Sequence, residues 1–481
     1  MEKKRVIELC IAGGVLLLIF FPRVFDLDAT RSPDEKRWIA NTAGFTQKLA
    51  HGQLDQLVRQ PHPGITTQWL GALTIGYDDW AVKRLPLVVG QVLLILASGY
   101  VFGRLWGKGA GLTVALVLAL DPLLYAHTRV YAMDSLLALF SLLSIGLLLL
   151  WRQDGSRRYL IAAGVTGAAA FLSKLPGIII LPFTLMLFIY WTWRDRQLKP
   201  WLLVAGYWSL AFIIGLVIIL PSFGIVPQNV IGDFTELFRS DDYAQLHQFG
   251  STYYLRSLAF FSSPVQWVGL LILGVLLTRK RDSRREQLLI LLLFGILFTV
   301  EMTLGAKKGD RYILPSFVML DVTAAFGIAW LYALKKRTVL QTTLLGLATL
   351  ALMWQAIIIW QTHPHTLAYV NPLTSSQFGE RRHGWGEGFR LAADYLNAKP
   401  EAHQLKAASY FPNEFSPYFD GETVAMHKHD EASVDYVVLY RAMFERGEDA
   451  WETDVLNQYR NKKPEKVITI SGVDMIWIHA R

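Results

Sequence analysis

The chain has 481 residues; 53% are hydrophobic, 18% are charged, and the mean hydropathy is +0.31. A soluble protein usually carries about a quarter charged residues, so this composition excludes an ordinary soluble domain. The net charge of +8 does not indicate nucleic-acid binding, because the Lys and Arg residues cluster in short links between apolar runs. The single cysteine, Cys10, rules out an intrachain disulfide.

Eleven apolar runs predict membrane-spanning helices, because about 20 apolar residues cross the hydrocarbon layer. The runs lie near 6–25, 84–105, 109–124, 133–151, 159–173, 175–193, 201–220, 263–278, 287–304, 312–334 and 339–360. Lys3, Lys4 and Arg5 place the N-terminus in the cytoplasm, and every link that alternation then places there carries two or more Lys or Arg residues. No cleavage-site pattern follows the first run, so we interpret it as a retained anchor. A multi-pass protein of the cell (plasma) membrane is predicted.

The first predicted outer segment, residues 26–83, contains a helix start with two adjacent acids. Ser32 suits the N-cap, Pro33 suits the first helical position, and Glu35 stands where it completes a capping box. Capping would explain Glu35, whereas Asp34 points in a different direction on the helix. Asp34 is therefore either a favourable charge at the helix N-terminus or a general base held just above the bilayer.

Two amphipathic stretches in this segment predict helices that lie in the membrane interface. The first runs from residue 33 to about Gly52, and the second covers 65–77 after a break at 60–64. Such a pair forms a platform for a lipid-linked substrate, whose head sits at the surface while its tail stays in lipid.

The composition changes at about residue 363, where polarity rises. A helix is predicted over 389–397, and strands are predicted over 407–411, 436–440, 467–470 and 475–478. We therefore divide the chain into a membrane domain, 1–362, and a small C-terminal α/β domain, 363–481. The odd number of spans places this second domain outside the cytoplasm.

Ionisable residues lie at the outer ends of predicted spans, where a charge is costly unless it is paired or faces a cavity. Asp134 begins the fourth span, and Arg129 lies five residues earlier as a candidate partner. Lys174 lies between the outer ends of two spans. It either snorkels to the interface or contributes to a site.

A group of positively charged residues lies on the predicted outer side, although Lys and Arg are usually enriched in cytoplasmic loops. Lys307, Lys308 and Arg311 precede the tenth span, and they either lie in a solvated loop or bind an anion such as a lipid phosphate. Glu301, near the outer end of the ninth span, could neutralise Lys307 or Arg311 and is assigned no catalytic role.

The order and placement of these motifs resemble the GT-C class of integral membrane glycosyltransferases. The most similar group is the bacterial branch of the protein O-mannosyltransferase and aminoarabinose-transferase enzymes. The resemblance is carried by Pro33-Asp34-Glu35, His62-Pro63-Gly64, residues 128–134, Ser173-Lys174, and residues 306–315, 369–373 and 385–388. One departure is that Asn371-Pro372-Leu373 is followed by Thr374-Ser375-Ser376, where glycines are expected.

The resemblance implies a polytopic α-helical fold of the GT-C type and an inverting transfer of a hexosyl or pentosyl group. The donor would be a polyprenyl-phosphate sugar, and the acceptor hydroxyl would lie on the extracytoplasmic side, on a protein, lipid or glycan. The resemblance places catalytic acids at Asp34 and Asp134, with Glu35 as a further candidate. It implies donor-phosphate contacts at Arg129, Lys174, Lys307, Lys308 and Arg311, and further substrate contacts at His62 and Tyr312. No cofactor is required; a divalent cation is compatible, although no ligand spacing indicates one.

Two other functions remain open at this stage. A transporter or lipid flippase for glycolipid precursors would be marked by broken helices and a polar site at the midplane. A non-catalytic assembly subunit would use the C-terminal domain as an interaction surface. The sequence contains no phosphate-cradling glycine loop, which argues against direct use of ATP or a nucleotide sugar.

Overall fold

The membrane region is built from helices that follow the apolar runs. The structure, a computed structural model, describes residues 2–57, 63–220, 250–278, 284–305, 308–335, 338–374, 384–430, 433–446 and 450–481. The helices up to residue 362 are α1 (Glu2–Val24), α2 (Pro33–Ala50), α3 (Ile65–Ala72), α4 (Trp80–Trp106), α5 (Lys108–Leu120), α6 (Pro122–His127), α7 (Asp134–Asp154), α8 (Arg157–Ser173), α9 (Ile180–Asp195), α10 (Leu198–Ile219), α11 (Tyr253–Phe261), α12 (Pro264–Leu277), α13 (Arg285–Leu304), α14 (Leu314–Ala333) and α15 (Val339–Thr362). Each of the eleven predicted spans coincides with one of these helices.

The helices differ in their capacity to cross a membrane. Among the described residues, seven helical segments are long and apolar enough to do so, and α11 with α12 makes an eighth if this pair, bent by 102°, is one span. The remaining predicted spans fall on α5 and α8, which have 13 and 17 residues, and on α1, which has 23 residues. The polytopic helical fold is confirmed, whereas the number of eleven spans remains a prediction.

Two helices form the centre of the bundle. The apolar windows of α7 and α14 are 89% buried within the protein, whereas those of the other spans are 28–50% buried. α7 packs against α4, α8 and α14, and α14 also contacts α5, α12 and α13. Because both helices begin at the same side as α2, their first residues can meet the interfacial segment. The polar residues of the site lie at these helix starts.

The first outer segment contains the two predicted interfacial helices, α2 and α3, which pack against each other. α2 buries Trp38, Thr42 and Phe45 on one face, and it ends just before Gly52, whose φ is 71°. Leu73 and Tyr77 follow α3 and are exposed, as expected for side chains that contact lipid head groups.

The C-terminal region is the predicted α/β unit. Its helices are α16 (Phe389–Asn397), α17 (Pro412–Phe415), α18 (Arg441–Arg446) and α19 (Ala450–Tyr459), and its strands are β1 (Lys406–Ser409), β2 (Glu422–Ala425), β3 (Tyr436–Tyr440), β4 (Lys466–Ile470) and β5 (Val473–Ala480). The sheet order is β2-β1-β3-β5-β4, with β1 parallel to β2 and β3, and β5 antiparallel to its neighbours. The sequence analysis missed β2, which is a short edge strand with little apolar patterning. The domain boundary at residue 362 remains a prediction.

The bend between α11 and α12 is held by the Asn-Pro-Leu motif. Asn371 donates from its side chain to Ser262 O at 2.6 Å and from its backbone to Phe260 O at 2.9 Å. Thr374 Oγ1 donates to Ala259 O at 2.7 Å. Thr374 thus binds the helix at the point where a glycine was expected, while residues 375–380 lie outside the described part of the chain.

Candidate active site

The N-terminus of α2 is fixed by Glu35, which is fully buried. Glu35 accepts a hydrogen bond from the backbone of Ser32 at 2.8 Å, which is the predicted capping contact. Its carboxylate also accepts from Arg84 Nε at 2.8 Å and from the backbone N–H of Tyr131 at 2.6 Å. Arg84 lies on α4, and Tyr131 precedes α7. Glu35 therefore joins three segments of the chain.

Asp34 lies one residue earlier and has a different environment. Its side chain is 37% exposed, and its Oδ2 accepts from Arg311 Nη2 at 2.6 Å and from Trp385 Nε1 at 3.1 Å. Adjacent helical residues point in different directions, which is why one acid is buried while the other faces a cleft. A carboxylate that is both held and accessible can accept a proton from a substrate hydroxyl.

Arg311 connects Asp34 to a second, buried acid. Arg311 Nε lies 3.8 Å from Asp134 Oδ2, and Lys174 Nζ binds Asp134 Oδ1 at 2.6 Å. Lys174 also lies 4.0 Å from the centre of the Tyr312 ring. The order Asp34, Arg311, Asp134, Lys174 alternates negative and positive charges. Because the two charges of each sign balance, the ions tolerate burial at the membrane boundary.

The solvent exposure of the side chains differs from one end of the charged array to the other. The side chains of Asp134 and Lys174 are 5% and 6% exposed, whereas Arg311 is 22% exposed. His127 lies close to these charges and is buried. Burial is the main cause that lowers the pKa of His127 to about 4, so its ring is neutral at pH 7. The exposed end of the array is therefore where a substrate can approach.

One residue that was predicted to belong to the site makes other contacts in the structure. Arg129 does not pair with Asp134; its guanidinium donates to the carbonyl oxygens of Pro22, Arg23, Phe25 and Asp26. Asp134 pairs instead with Lys174, because α7 and α8 are packed neighbours and the start of α7 meets the end of α8. Arg129 thus fixes the end of α1, and its contact with a donor phosphate remains a prediction.

Lys308, another predicted donor-phosphate contact, binds backbone carbonyl oxygens in this structure. Its Nζ donates to Met302 O at 3.1 Å, to Gly305 O at 2.6 Å and to Thr303 O, so it caps the C-terminal end of α13. Glu301 does not neutralise Arg311, whose acidic partners are Asp34 and Asp134.

Two further candidates, His62 and Lys307, lie outside the described residues. Among the residues that are described, no group of three or more His, Cys, Asp or Glu side chains is arranged to hold a metal ion.

An apolar cavity of about 360 Å³ lies between α11, α13 and α14. Leu255, Ile296 and Met319 contribute one lining side chain from each of these helices. Ser316, at the beginning of α14, also lines the cavity, and Arg311 lies five residues earlier, in the turn that leads into this helix. The cavity thus runs from the level of the charged array into the apolar part of the bundle.

The sequence analysis did not assign roles to Arg84 and Trp385. Arg84 lies at the start of an apolar run, where positively charged residues are common, so its sequence position indicated no special role. Trp385 lies 351 positions from Asp34 in the chain, so only a three-dimensional fold could bring them together. The available signal was the motif at 385–388, which the resemblance included without a function.

The fold is similar to that of ArnT from Cupriavidus metallidurans bound to undecaprenyl phosphate, with a TM-score of 0.51 at 14% identity, covering 98% of this chain and 97% of that chain. It is also similar to the archaeal oligosaccharyltransferase AglB from Archaeoglobus fulgidus in complex with an inhibitory peptide and a dolichol-phosphate. That match has a TM-score of 0.54 at 13% identity and covers 93% of this chain and 72% of that chain.

The match found by sequence covers less of the chain than the structural matches. Residues 62–221 match the family described as dolichyl-phosphate-mannose-protein mannosyltransferase. No curated protein matches the sequence. The fold is that of the GT-C class of membrane glycosyltransferases, and the resemblance noted from the motifs is confirmed at this level. The assignment to the bacterial branch remains a prediction.

Proposed function

We propose that this protein transfers a sugar from a polyprenyl-phosphate donor to an acceptor hydroxyl by an inverting displacement. The observation that carries this proposal is the alternating array that joins exposed Asp34 to Arg311, Asp134 and Lys174. It combines an accessible carboxylate with two cations at the outer ends of apolar helices. A base for the acceptor and positive charge for a phosphate are the two elements that this reaction needs.

In the proposed step, Asp34 accepts the proton of the acceptor hydroxyl as its oxygen forms a bond to the anomeric carbon. The bond between that carbon and the phosphate oxygen breaks, and the electron pair leaves with the lipid phosphate. Arg311 and Lys174 stabilise the developing negative charge. The phosphate leaves as an anion, so the leaving group needs no acid. Attack from the face opposite the phosphate inverts the anomeric carbon.

Arg311 would bind Asp34 before the donor arrives and the donor phosphate afterwards. Its guanidinium contacts Asp34 at 2.6 Å and remains 22% exposed, so a donor phosphate can compete with Asp34 for it. A guanidinium can bind a phosphate through two parallel hydrogen bonds. Donor binding would then loosen the Asp34–Arg311 pair and leave the carboxylate free to accept a proton.

Asp134 is proposed to organise the cations, because it lies between Lys174 and Arg311 and is nearly inaccessible. Tyr312 is proposed to support Lys174 through its ring face. The proposed mechanism requires no metal, because Arg311 and Lys174 already supply positive charge.

The apolar cavity supports a lipid-linked donor. ArnT, which has a similar fold, binds undecaprenyl phosphate. In this chain the cavity beside Ser316 would take the first isoprene units while the phosphate reaches Arg311. We infer that the donor is a polyprenyl-phosphate hexose or pentose and that the site faces the extracytoplasmic side. The acceptor is a hydroxyl on a protein, lipid or glycan.

The transporter alternative lacks support from any comparison. The bent pair of α11 and α12 is the only broken span among the described residues, and Asn371 holds it in a fixed arrangement. Moreover, the polar residues of the array lie at helix starts and not at mid-span positions.

The experiment that tests the proposal uses the full chain, purified and reconstituted in vesicles with radiolabelled undecaprenyl-phosphate hexoses and pentoses. A cell-envelope extract supplies the acceptors. We expect release of undecaprenyl phosphate together with transfer of label, and product analysis by NMR should show an inverted anomeric centre. If the labelled lipid crosses the vesicle membrane intact and no sugar is released from any donor, the protein is a transporter and the proposal is wrong.

A further inference from the structure

The loop of residues 384–388 reaches the charged array from the C-terminal region. Trp385 Nε1 donates to Asp34 Oδ2 at 3.1 Å, and the Trp385 ring lies 3.8 Å from the guanidinium carbon of Arg311. A single side chain thus contacts both members of the Asp34–Arg311 pair. A ring stacked on a guanidinium and an N–H directed at a carboxylate each favour one fixed orientation of their partner.

The loop is held against the beginning of α2 by a close backbone contact. A Cβ atom on Gly386 would lie 2.1 Å from Arg31 O, and the φ of Gly386 is 99°. Glycine is therefore required here both for its conformation and for the close approach. The contact brings the loop to the residue that directly precedes the N-cap of the helix bearing Asp34.

A second set of contacts fixes the loop within its own domain. Glu387 is buried and accepts from the backbone of Trp385 at 2.5 Å and from the hydroxyl of Tyr440 at 2.6 Å. Tyr440, at the end of β3, also accepts from the backbone of Gly386 at 2.9 Å. The central strand of the sheet is thereby connected to the tip of the loop.

We propose that Trp385 is a positioning residue of the active site and that the C-terminal domain completes the site by supplying it. This inference rests on the proposed function, because the pair that Trp385 holds consists of the proposed base and the proposed phosphate ligand. The indole N–H orients the Asp34 carboxylate towards the acceptor. The ring keeps the Arg311 guanidinium in the plane from which it can receive the donor phosphate.

The first test separates the two contacts of Trp385. Trp385→Phe keeps a ring over Arg311 and removes the N–H, so kcat should fall about tenfold, the usual worth of a hydrogen bond to a charged group, with the donor KM unchanged. Trp385→Ala removes both contacts and should also raise the donor KM about tenfold. The matched control is Trp451→Phe, which changes a tryptophan of the same domain outside the site and should leave both constants unchanged.

The second test displaces the loop without changing Trp385. Gly386→Ala introduces the Cβ that meets Arg31 O, and it should lower kcat at least as much as Trp385→Phe. Gly472→Ala is the control: Gly472 has a φ of 74° but no atom within 4 Å of the added Cβ. Both variants carry similar backbone strain, so only displacement of the loop distinguishes their activities.

Three outcomes would overturn the inference. The first is unchanged kcat in Trp385→Phe and Gly386→Ala. The second is a rise in donor KM with unchanged kcat in every variant, which would make Trp385 a substrate contact instead of a positioning residue. The third is an equal loss of activity in Gly472→Ala.

A binding measurement separates failure of this inference from failure of the proposed function. Binding of undecaprenyl phosphate by the purified protein is followed by native mass spectrometry. If the wild-type protein binds the lipid phosphate and transfers sugar, the variants test the inference alone. If the wild-type protein does neither, the proposed function is wrong, and the assignment of Trp385 is wrong with it.

Discussion

Glu35 and Asp34 are neighbours on α2, yet they belong to two regions of different character. The Glu35 region is closed: the carboxylate is fully buried, and Arg84 and two backbone N–H groups bind it. The Asp34 region is open: the carboxylate is 37% exposed, and its partners Arg311 and Trp385 come from distant parts of the chain. The first region fixes where α2 begins. The second places a proton acceptor where a substrate can reach it.

The difference shows how one short motif serves both structure and chemistry. A buried carboxylate paired with arginine is costly to disturb, because loss of one partner leaves an uncompensated charge. An exposed carboxylate contributes less to stability, because water can replace its partners. Substitution of Glu35 should therefore affect folding, and substitution of Asp34 should affect turnover.

The largest expected effect is that of Asp34→Asn on turnover. This variant keeps the size and the position of the side chain and removes its capacity to accept a proton. The turnover number should fall roughly 10²–10⁴-fold, the usual contribution of a positioned acid or base. The sugar transfer assay measures this, and lipid-phosphate binding should survive because Arg311 and Lys174 are retained.

The control for this variant is Asp55→Asn, an exposed acid in the same outer segment but outside the array. It should retain normal turnover. Near-normal transfer by Asp34→Asn would show that the α2 start is only a structural platform, and the acid would then have to be sought at Asp134.

Glu35→Gln should have the second largest effect. It should lower the stability of the protein and not its turnover number. Glutamine can still accept from the Ser32 backbone, but the charge that balances buried Arg84 is lost. Loss of one partner of a buried ion pair costs about 3–5 kcal/mol. The thermal midpoint in detergent should fall clearly, while the turnover per folded molecule should stay within a few-fold of the wild-type value.

The double variant Glu35→Gln with Arg84→Met checks this explanation. It removes both charges, so part of the stability lost in the single variant should return. If Glu35→Gln alone were fully stable but inactive, Glu35 and not Asp34 would be the catalytic acid.

The sequence predicted the fold well where periodicity and length carry the information. Each of the eleven apolar runs falls on a helix, and α16 and β3 were predicted with the bounds that the structure has. The capping role of Glu35 was also predicted, because a capping box is a local pattern. In contrast, the partner of Asp134 was predicted wrongly, because the nearest cation in sequence, Arg129, was preferred over Lys174, 40 residues away.

The same limit applies to the long cationic side chains near the site. Lys308 was grouped with Arg311 because both precede one span, yet Lys308 is directed back to the end of α13 and Arg311 is directed to Asp34. Charge and approximate depth can be read from sequence, but the direction of a long side chain depends on tertiary contacts. The role of Trp385 depends on the docking of a separate sheet, which no local pattern encodes.

The lysines offer a second comparison, between Lys174 in the charged array and Lys308 at a helix end. In Lys174→Gln, the glutamine can still donate to Asp134 but carries no charge, and Asp134 keeps Arg311 at 3.8 Å. The donor KM should rise about 10–100-fold, which corresponds to the loss of one charged hydrogen bond to phosphate. Donor titration in the transfer assay measures this change. An unchanged KM with normal expression would remove Lys174 from the phosphate site.

Lys308→Met provides the matched comparison and the smallest expected effect. Lys308 Nζ binds the carbonyl oxygens at the end of α13, which favours a positive charge through the helix dipole. Methionine keeps the length of the side chain and removes the donors, so stability should fall by about 1 kcal/mol, the usual value for a cap. The donor KM should stay at the wild-type value, because the lysine is directed away from Arg311 and towards α13. A rise in donor KM as large as that in Lys174→Gln would contradict the capping role. It would mean that Lys308 leaves the helix end when the donor binds and then contacts the phosphate together with Arg311 and Lys174.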